Sequence, residues 1–123
     1  MLMSLEERID RAKQKTFFVS GLGIEVMGED IVKASYEIAK EAEKIASPEG
    51  WRLPKADECF VLWSIKQSGC GNIKDSYYWT GEERDASSYG DKDRMAFMFK
   101  MDTPFLGTRS KQDFYYIRLI RDI

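Results

Sequence analysis

The stretch Gly50-Trp51-Arg52-Leu53-Pro54-Lys55-Ala56-Asp57-Glu58 decides how this chain is read. Pro54 has no amide hydrogen with which to continue a helix, and it pushes Leu53 out of the helical region. The stretch is therefore a sharp, extended junction between two helices. Upstream, the pattern from Asp30 to Ala46 is helical. Ile31, Ala34, Ile38, Ala42 and Ile45 form one stripe, Lys33, Glu37, Lys40, Glu41 and Lys44 face water, and Ser47-Pro48-Glu49-Gly50 stops the element. Downstream, a helix is predicted from Ala56 to Lys66, carrying Phe60, Val61, Trp63 and Ile65, with Gly69 ending it. Lys55 cannot accept a hydrogen bond from the first turn, so Asp57 is the alternative cap, with a start shifted by a residue or two. Trp51 is large enough to anchor the junction, Arg52 can fork onto carbonyls or a carboxylate, and Leu53 plugs the core.

Toward the N-terminus, Ser4-Leu5-Glu6-Glu7 is a capping box that opens a short amphipathic helix ending near Gln14. Thr16 to Ser20 reads as a strand, Gly21-Leu22-Gly23 as a turn, and Ile24 to Met27 as a second strand or hairpin partner. Toward the C-terminus, Tyr77-Tyr78-Trp79-Thr80 is an aromatic, β-branched strand, followed by a polar loop from Gly81 to Asp93. Met95, Phe97, Phe99 and Met101 recur with period two, which predicts a strand with one strongly apolar face. Asp102 to Gln112, with Pro104 and Gly107, reads as a second long loop, and Phe114 to Ile120 as the closing strand. Arg118 alternates with Ile117 and Leu119, so it is placed on the opposite sheet face, where an ion pair would satisfy it.

The totals bound the function. A chain of 123 residues, 43% hydrophobic and 33% charged, is expected to form a single domain over residues 1–123, with residues 1–15 as a helical extension. A net charge of −2 carries no basic footprint for duplex nucleic acid. No apolar run reaches the length of a membrane span, and Met1-Leu2-Met3 leads into charges rather than a signal-peptide core, so cytoplasmic residence without membrane association is expected. Cys59 and Cys70 are too few for a disulfide framework. Two reduced thiols are the expectation, with a bridge between them as the alternative. The chain has no histidine, which removes the commonest general base and metal ligand together.

The junction resembles the G-W-R-L-P-T-x-x-E signature of small bacterial and phage domains with a C-type-lectin-like fold, on the branch shared with formylglycine-generating enzymes. The resemblance runs from Asp30 to the end. A helix is followed by Gly50–Pro54, an acidic-capped helix, Tyr78-Trp79-Thr80, an alternating strand over Arg94–Met101, and Ile117-Arg118-Leu119-Ile120-Arg121. It implies an α+β fold, with two helices packed on a small, mostly antiparallel twisted sheet behind the N-terminal helix. It makes Trp51, Arg52, Leu53, Pro54, Trp79 and Arg118 a structural motif rather than a site. The family's catalytic features do not carry over. Its copper-binding cysteine pair lies near the C-terminal end of the fold, where Cys59 and Cys70 do not map. Its iron-dependent relatives use histidine ligands, and the calcium loops E-P-N or Q-P-D followed by W-N-D do not occur here.

No catalytic residue, metal site or cofactor is therefore assigned. Glu82, Glu83, Asp85, Asp91 and Asp93 lack the spacing of a calcium loop and read as a solvated acidic segment. The function expected is non-catalytic binding, with a protein partner preferred and a glycan second, in a chain of phage or mobile-element type. A structural or oligomeric component of a particle or surface assembly, or a degenerate enzyme relative, are the alternatives. The contact residues expected are Tyr89, Phe105, Arg109, Lys111 and Tyr115. They are aromatic and basic groups on two loops that flank adjacent strands, joined by Phe114 and by Lys100 nearby.

Overall fold

A computed structural model describes residues 3–83 and 95–123. The fold is α+β: helix α1 (Leu5–Ala12), strands β1 (Thr16–Val19), β2 (Ile24–Met27) and β3 (Lys33–Ala34), helices α2 (Tyr36–Ala46) and α3 (Ala56–Gln67), then strands β4 (Tyr77–Glu83), β5 (Met95–Lys100), β6 (Phe105–Ser110), β7 (Tyr115–Tyr116) and β8 (Ile120–Asp122). Two sheets form, in the orders β1-β2-β8 and β3-β7-β4-β5-β6. Pairing is antiparallel except between β4 and β7, where Tyr78 meets Tyr116 in parallel. No helix among the described residues is long and apolar enough to cross a membrane.

Local chemistry accounts for the starts and stops. Ser4 Oγ accepts from the Glu7 amide at 3.1 Å, and the Ser4 amide donates to Glu7 Oε1 at 3.3 Å, so the capping box forms as the sequence predicts. A 3-10 turn at Ser47–Glu49 ends α2, and Gly50 takes the left-handed conformation at φ 88° that lets the chain turn into Trp51. α3 begins at Ala56 without the shift that an Asp57 cap would bring. The Glu58 carboxylate reaches back to the Lys55 amide at 2.8 Å, and Glu82 Oε1 accepts from the Ala56 amide at 3.2 Å. Asp57 Oδ1 accepts from the Glu58 amide at 2.9 Å, so carboxylates of the first turn and of β4 take up the amides that the lysine side chain cannot.

Four expectations are corrected. Residues 30–35 are not helical: α2 starts only after Ser35, which sits extended at φ −70°, ψ 166°. The Ile31 amide donates to Ile117 O at 2.8 Å and the Ile117 amide to Val32 O at 3.0 Å, while Lys33 and Ala34 pair with Tyr116 and Tyr115. Tertiary pairing overrides the helical period there. The buried face of α2 is Tyr36, Ala39, Ala42 and Ala46, and Ile38 is exposed. A row of alanines lets the helix approach closely, and Ile38 lies about 100° round the helix from Ala39, to one side of that row.

Second, Asp102–Gln112 is not a long loop. A turn in which the Thr103 amide bonds Asp102 Oδ1 at 2.7 Å leads into β6, which pairs in unbroken register with β5 from Lys100↔Phe105 to Met95↔Ser110. Third, Phe114–Ile120 is not one strand. β7 closes onto the five-stranded sheet, residues 117–119 cross over, and β8 joins the other sheet. Fourth, β5 is buried on both faces: Ala96 and Met98 share a core with Trp79 and the α2 alanines, and Phe99 and Met101 share another with Tyr78 and with Cys59 and Leu62 of α3. Met95 and Phe97, expected in the apolar face, are only half-buried. The two helices therefore lie on opposite faces of the larger sheet.

Candidate functional site

Strand alternation brings most of the sequence-predicted contact residues to one sheet face. Lys100 pairs with Tyr77 on one side and Phe105 on the other, so these three share a face with Trp79 and Met98. Gly107 and Arg109 follow on β6. The Phe105 ring, 52% exposed, leans over Gly107, where an added Cβ would come within 2.7 Å of Phe105 Cε1 and 3.0 Å of Met98 Cε. The Tyr115 ring lies 5.2 Å from that of Tyr77 and 4.8 Å from that of Trp79. Lys100 Nζ stands 5.8 Å from the Tyr77 ring centroid, and Lys111 Nζ stands 5.6 Å from that of Tyr36, which packs edge-on against Trp79. The result is a rigid, half-exposed surface of rings edged by Lys100, Arg109 and Lys111.

Lys100, Arg109 and Lys111 are joined there by the carboxylates of Asp102 and Asp113. Arg109 Nη1 donates to Thr108 O at 2.8 Å and makes no ion pair with a carboxylate among the described residues, whereas Lys100 has only Asp102 at 3.8 Å. Tyr115 donates its hydroxyl to Asp113 Oδ2 at 3.0 Å. Burial, then that hydrogen bond and the Asp113 charge, push its phenol up to about 12, against the opposing pull of Arg109. Phe105, Arg109 and Tyr115 thus come together on strands rather than loops, with Lys111 at the far end. Tyr89 lies outside the described residues. Tyr77 was missed as a member, although its spacing of two from Trp79 places both rings on one face.

Beyond Lys111 the surface opens into a groove of about 870 Å³ along α2, floored by Tyr36 and Trp51 and walled by Lys40, Lys44, Arg52 and Lys111 with Glu37 and Glu41. Both signs of charge line it.

The junction residues are committed elsewhere. Trp51 is 2% exposed beneath the Arg121 guanidinium, 4.4 Å from the ring centroid, and its Nε1 has no hydrogen-bond partner among the described residues. Arg52 grips Glu58 through two bonds of 2.8 Å, reaches Asp122 at 3.0 Å, and bridges by its backbone to Ile120. Burial opposes ionisation of Glu58, but Arg52 and the Lys55 amide outweigh it and hold the carboxyl below its usual range. Leu53 and Pro54 are buried, and the Gly81 amide donates to Pro54 O at 2.8 Å. The Trp79 indole donates to Ala34 O at 2.9 Å.

Arg118 is 1% exposed. Its guanidinium donates to Asp30 Oδ1, to Met27 O, and to Gly71 O and Asn72 O at 2.7 Å each, while Asp30 also accepts from Tyr78 and Lys74. Reading residues 30–35 as helix hid this counter-ion. Both thiols are unpaired, Cys59 buried and Cys70 exposed, and burial pushes the Cys59 thiol up. Among the described residues no group of three or more acidic or sulfur ligands could hold a metal ion. Neither the models of protein families nor the curated proteins yield a match to this chain.

Proposed function

We propose that this chain is a non-catalytic binding domain of C-type-lectin-like fold whose partner is a protein. The observation that carries the reading is the half-exposed face on which the Tyr77, Tyr115 and Phe105 rings lie among Lys100, Arg109 and Lys111. Aromatic residues and arginine dominate the energetics of protein contacts, because they bury much area with few rotors lost and bond in fixed directions. The rings sit on paired strands, so little ordering cost falls on binding. Cytoplasmic residence and a phage or mobile-element origin belong to the same reading.

The test replaces Phe105 with a photo-reactive phenylalanine analogue in cells that express the chain. One predominant cross-linked protein is expected, and it should be lost when Arg109→Glu is added. Cross-links to nucleic acid, to a second copy of this chain, or to nothing would overturn the reading.

A further inference from the structure

We infer that the outer edge of β6 takes up an extended acidic segment of the partner as an additional strand of the five-stranded sheet. The inference rests on the protein-binding reading and specifies its chemistry. Among the described residues β6 pairs with β5 alone, and it does so through six consecutive residues without a bulge. Its other side therefore presents a row of backbone donors and acceptors, and such an edge is a template for strand addition. Phe105-Leu106-Gly107-Thr108-Arg109-Ser110 has no proline and one charge, Arg109. The Thr108 carbonyl accepts from Arg109 Nη1 and the Ser110 carbonyl from the Asp113 amide, so an added strand takes the place of the Arg109 bond and frees that guanidinium for the incoming segment.

Charge complementarity chooses the occupant. An added strand sets alternate side chains on the ring-bearing face, beside Phe105, Gly107 and Arg109. Arg109 has no carboxylate among the described residues, and Lys100 lies one strand further in. Acidic residues at the alternate positions would meet them. On the opposite face the neighbour is Leu106, packed with Phe99, so the intervening positions favour aliphatic side chains. The outer edge of β1, Thr16-Phe17-Phe18-Val19, carries no charge that would select a partner. The groove along α2 presents both signs and selects none.

The experiment uses the full chain and two capped hexapeptides, one alternating Glu-Val and one alternating Lys-Val. Anisotropy titrations and amide hydrogen exchange are followed together. The acidic peptide should bind and slow exchange at alternate amides of residues 105–110, those that point away from β5. Arg109→Glu should weaken it by three- to tenfold and admit the Lys-Val peptide. Binding that leaves the β6 amides unprotected, equal affinity for both peptides, or a dimer in light scattering whose β6 edge is protected without peptide would overturn the proposal. Protected β6 amides in a complex with oligothymidine, with no response to the acidic peptide, would overturn it in favour of single-stranded nucleic acid. A cross-linked protein partner that persists while the β6 amides stay unprotected defeats strand addition but leaves the protein-binding reading standing.

Discussion

At the scale of single residues, the charged groups that matter most for the fold are Arg118 with Asp30 and Arg52 with Glu58. Arg118 is fully enclosed, yet each of its guanidinium nitrogens has a partner: Asp30 and three backbone carbonyls. A buried charge without partners would cost several kcal/mol, so the network is a condition for placing arginine there at all. Removing it strands Asp30, whose carboxylate is 5% exposed, with only the half-exposed Lys74 and the Tyr78 hydroxyl. Arg118→Ala should therefore destabilise by about 3–5 kcal/mol, and adding Asp30→Asn should restore part of the loss. A chemical-denaturation midpoint that does not move in the single variant would contradict this.

Glu58 behaves differently because it titrates in reach of experiment. Its folded carboxyl ionises more readily than its unfolded one, so its contribution is complete above the unfolded value of about 4.3 and is lost as pH falls through the lower folded value. Glu58→Gln should cost about 1–3 kcal/mol at pH 7, in the range of a charged hydrogen bond. The gap between the two proteins should close as the pH falls below about 4. Denaturation curves at several pH values read it directly, and a gap that stays constant to pH 2.5 would exclude Arg52–Glu58 as its source.

At the scale of elements, what was legible follows from how local each signal is. The α1 capping box, the Gly50 stop and the extent of α3 are set within a few residues of the chain, and they form where the sequence places them. Ala34 and Ile31 fit a helical stripe equally well, but their backbone groups are claimed by Tyr115 and Ile117 across more than eighty positions, which no window of sequence contains. β6 was hidden for another reason. Asp102, Pro104 and Gly107 are turn residues in isolation, yet Gly107 is tolerated mid-strand because the Phe105 ring and Met98 occupy the space its side chain would need. The same pairing makes Phe105–Ser110, expected in a loop, part of a strand face. Phe105, Arg109 and Tyr115 were chosen by residue type, but the surface they form depends on the register of β4, β5 and β6, and Tyr77 entered only through that register.

At the scale of the molecule, stability and the candidate contact surface lie in different places. The C-terminal segment ties the two sheets together: the Ile31 amide reaches Ile117 O, the Met27 amide reaches Leu119 O, and Arg52 bridges Ile120. Trp51 sits at that crossing, buried between α2 and β8 under Arg121, so Trp51→Ala empties a large aromatic site in the core that α2 shares with the smaller sheet. A loss of about 3–5 kcal/mol is expected. Phe105 is half in solvent and Arg109, among the described residues, bonds its neighbour's carbonyl alone, so Phe105→Ala and Arg109→Ala should each cost under about 1 kcal/mol. In capture on the immobilised chain, which needs no probe at residue 105, the two face variants should nonetheless lose the protein identified by cross-linking, whereas Trp51→Ala should retain it at temperatures where the variant is still folded. Thermal melts and partner capture, run on the same three proteins, separate the two roles. If the face variants melt early, or if Trp51→Ala loses the partner while fully folded, the groove beside Trp51 rather than the strand face would be the surface that binds.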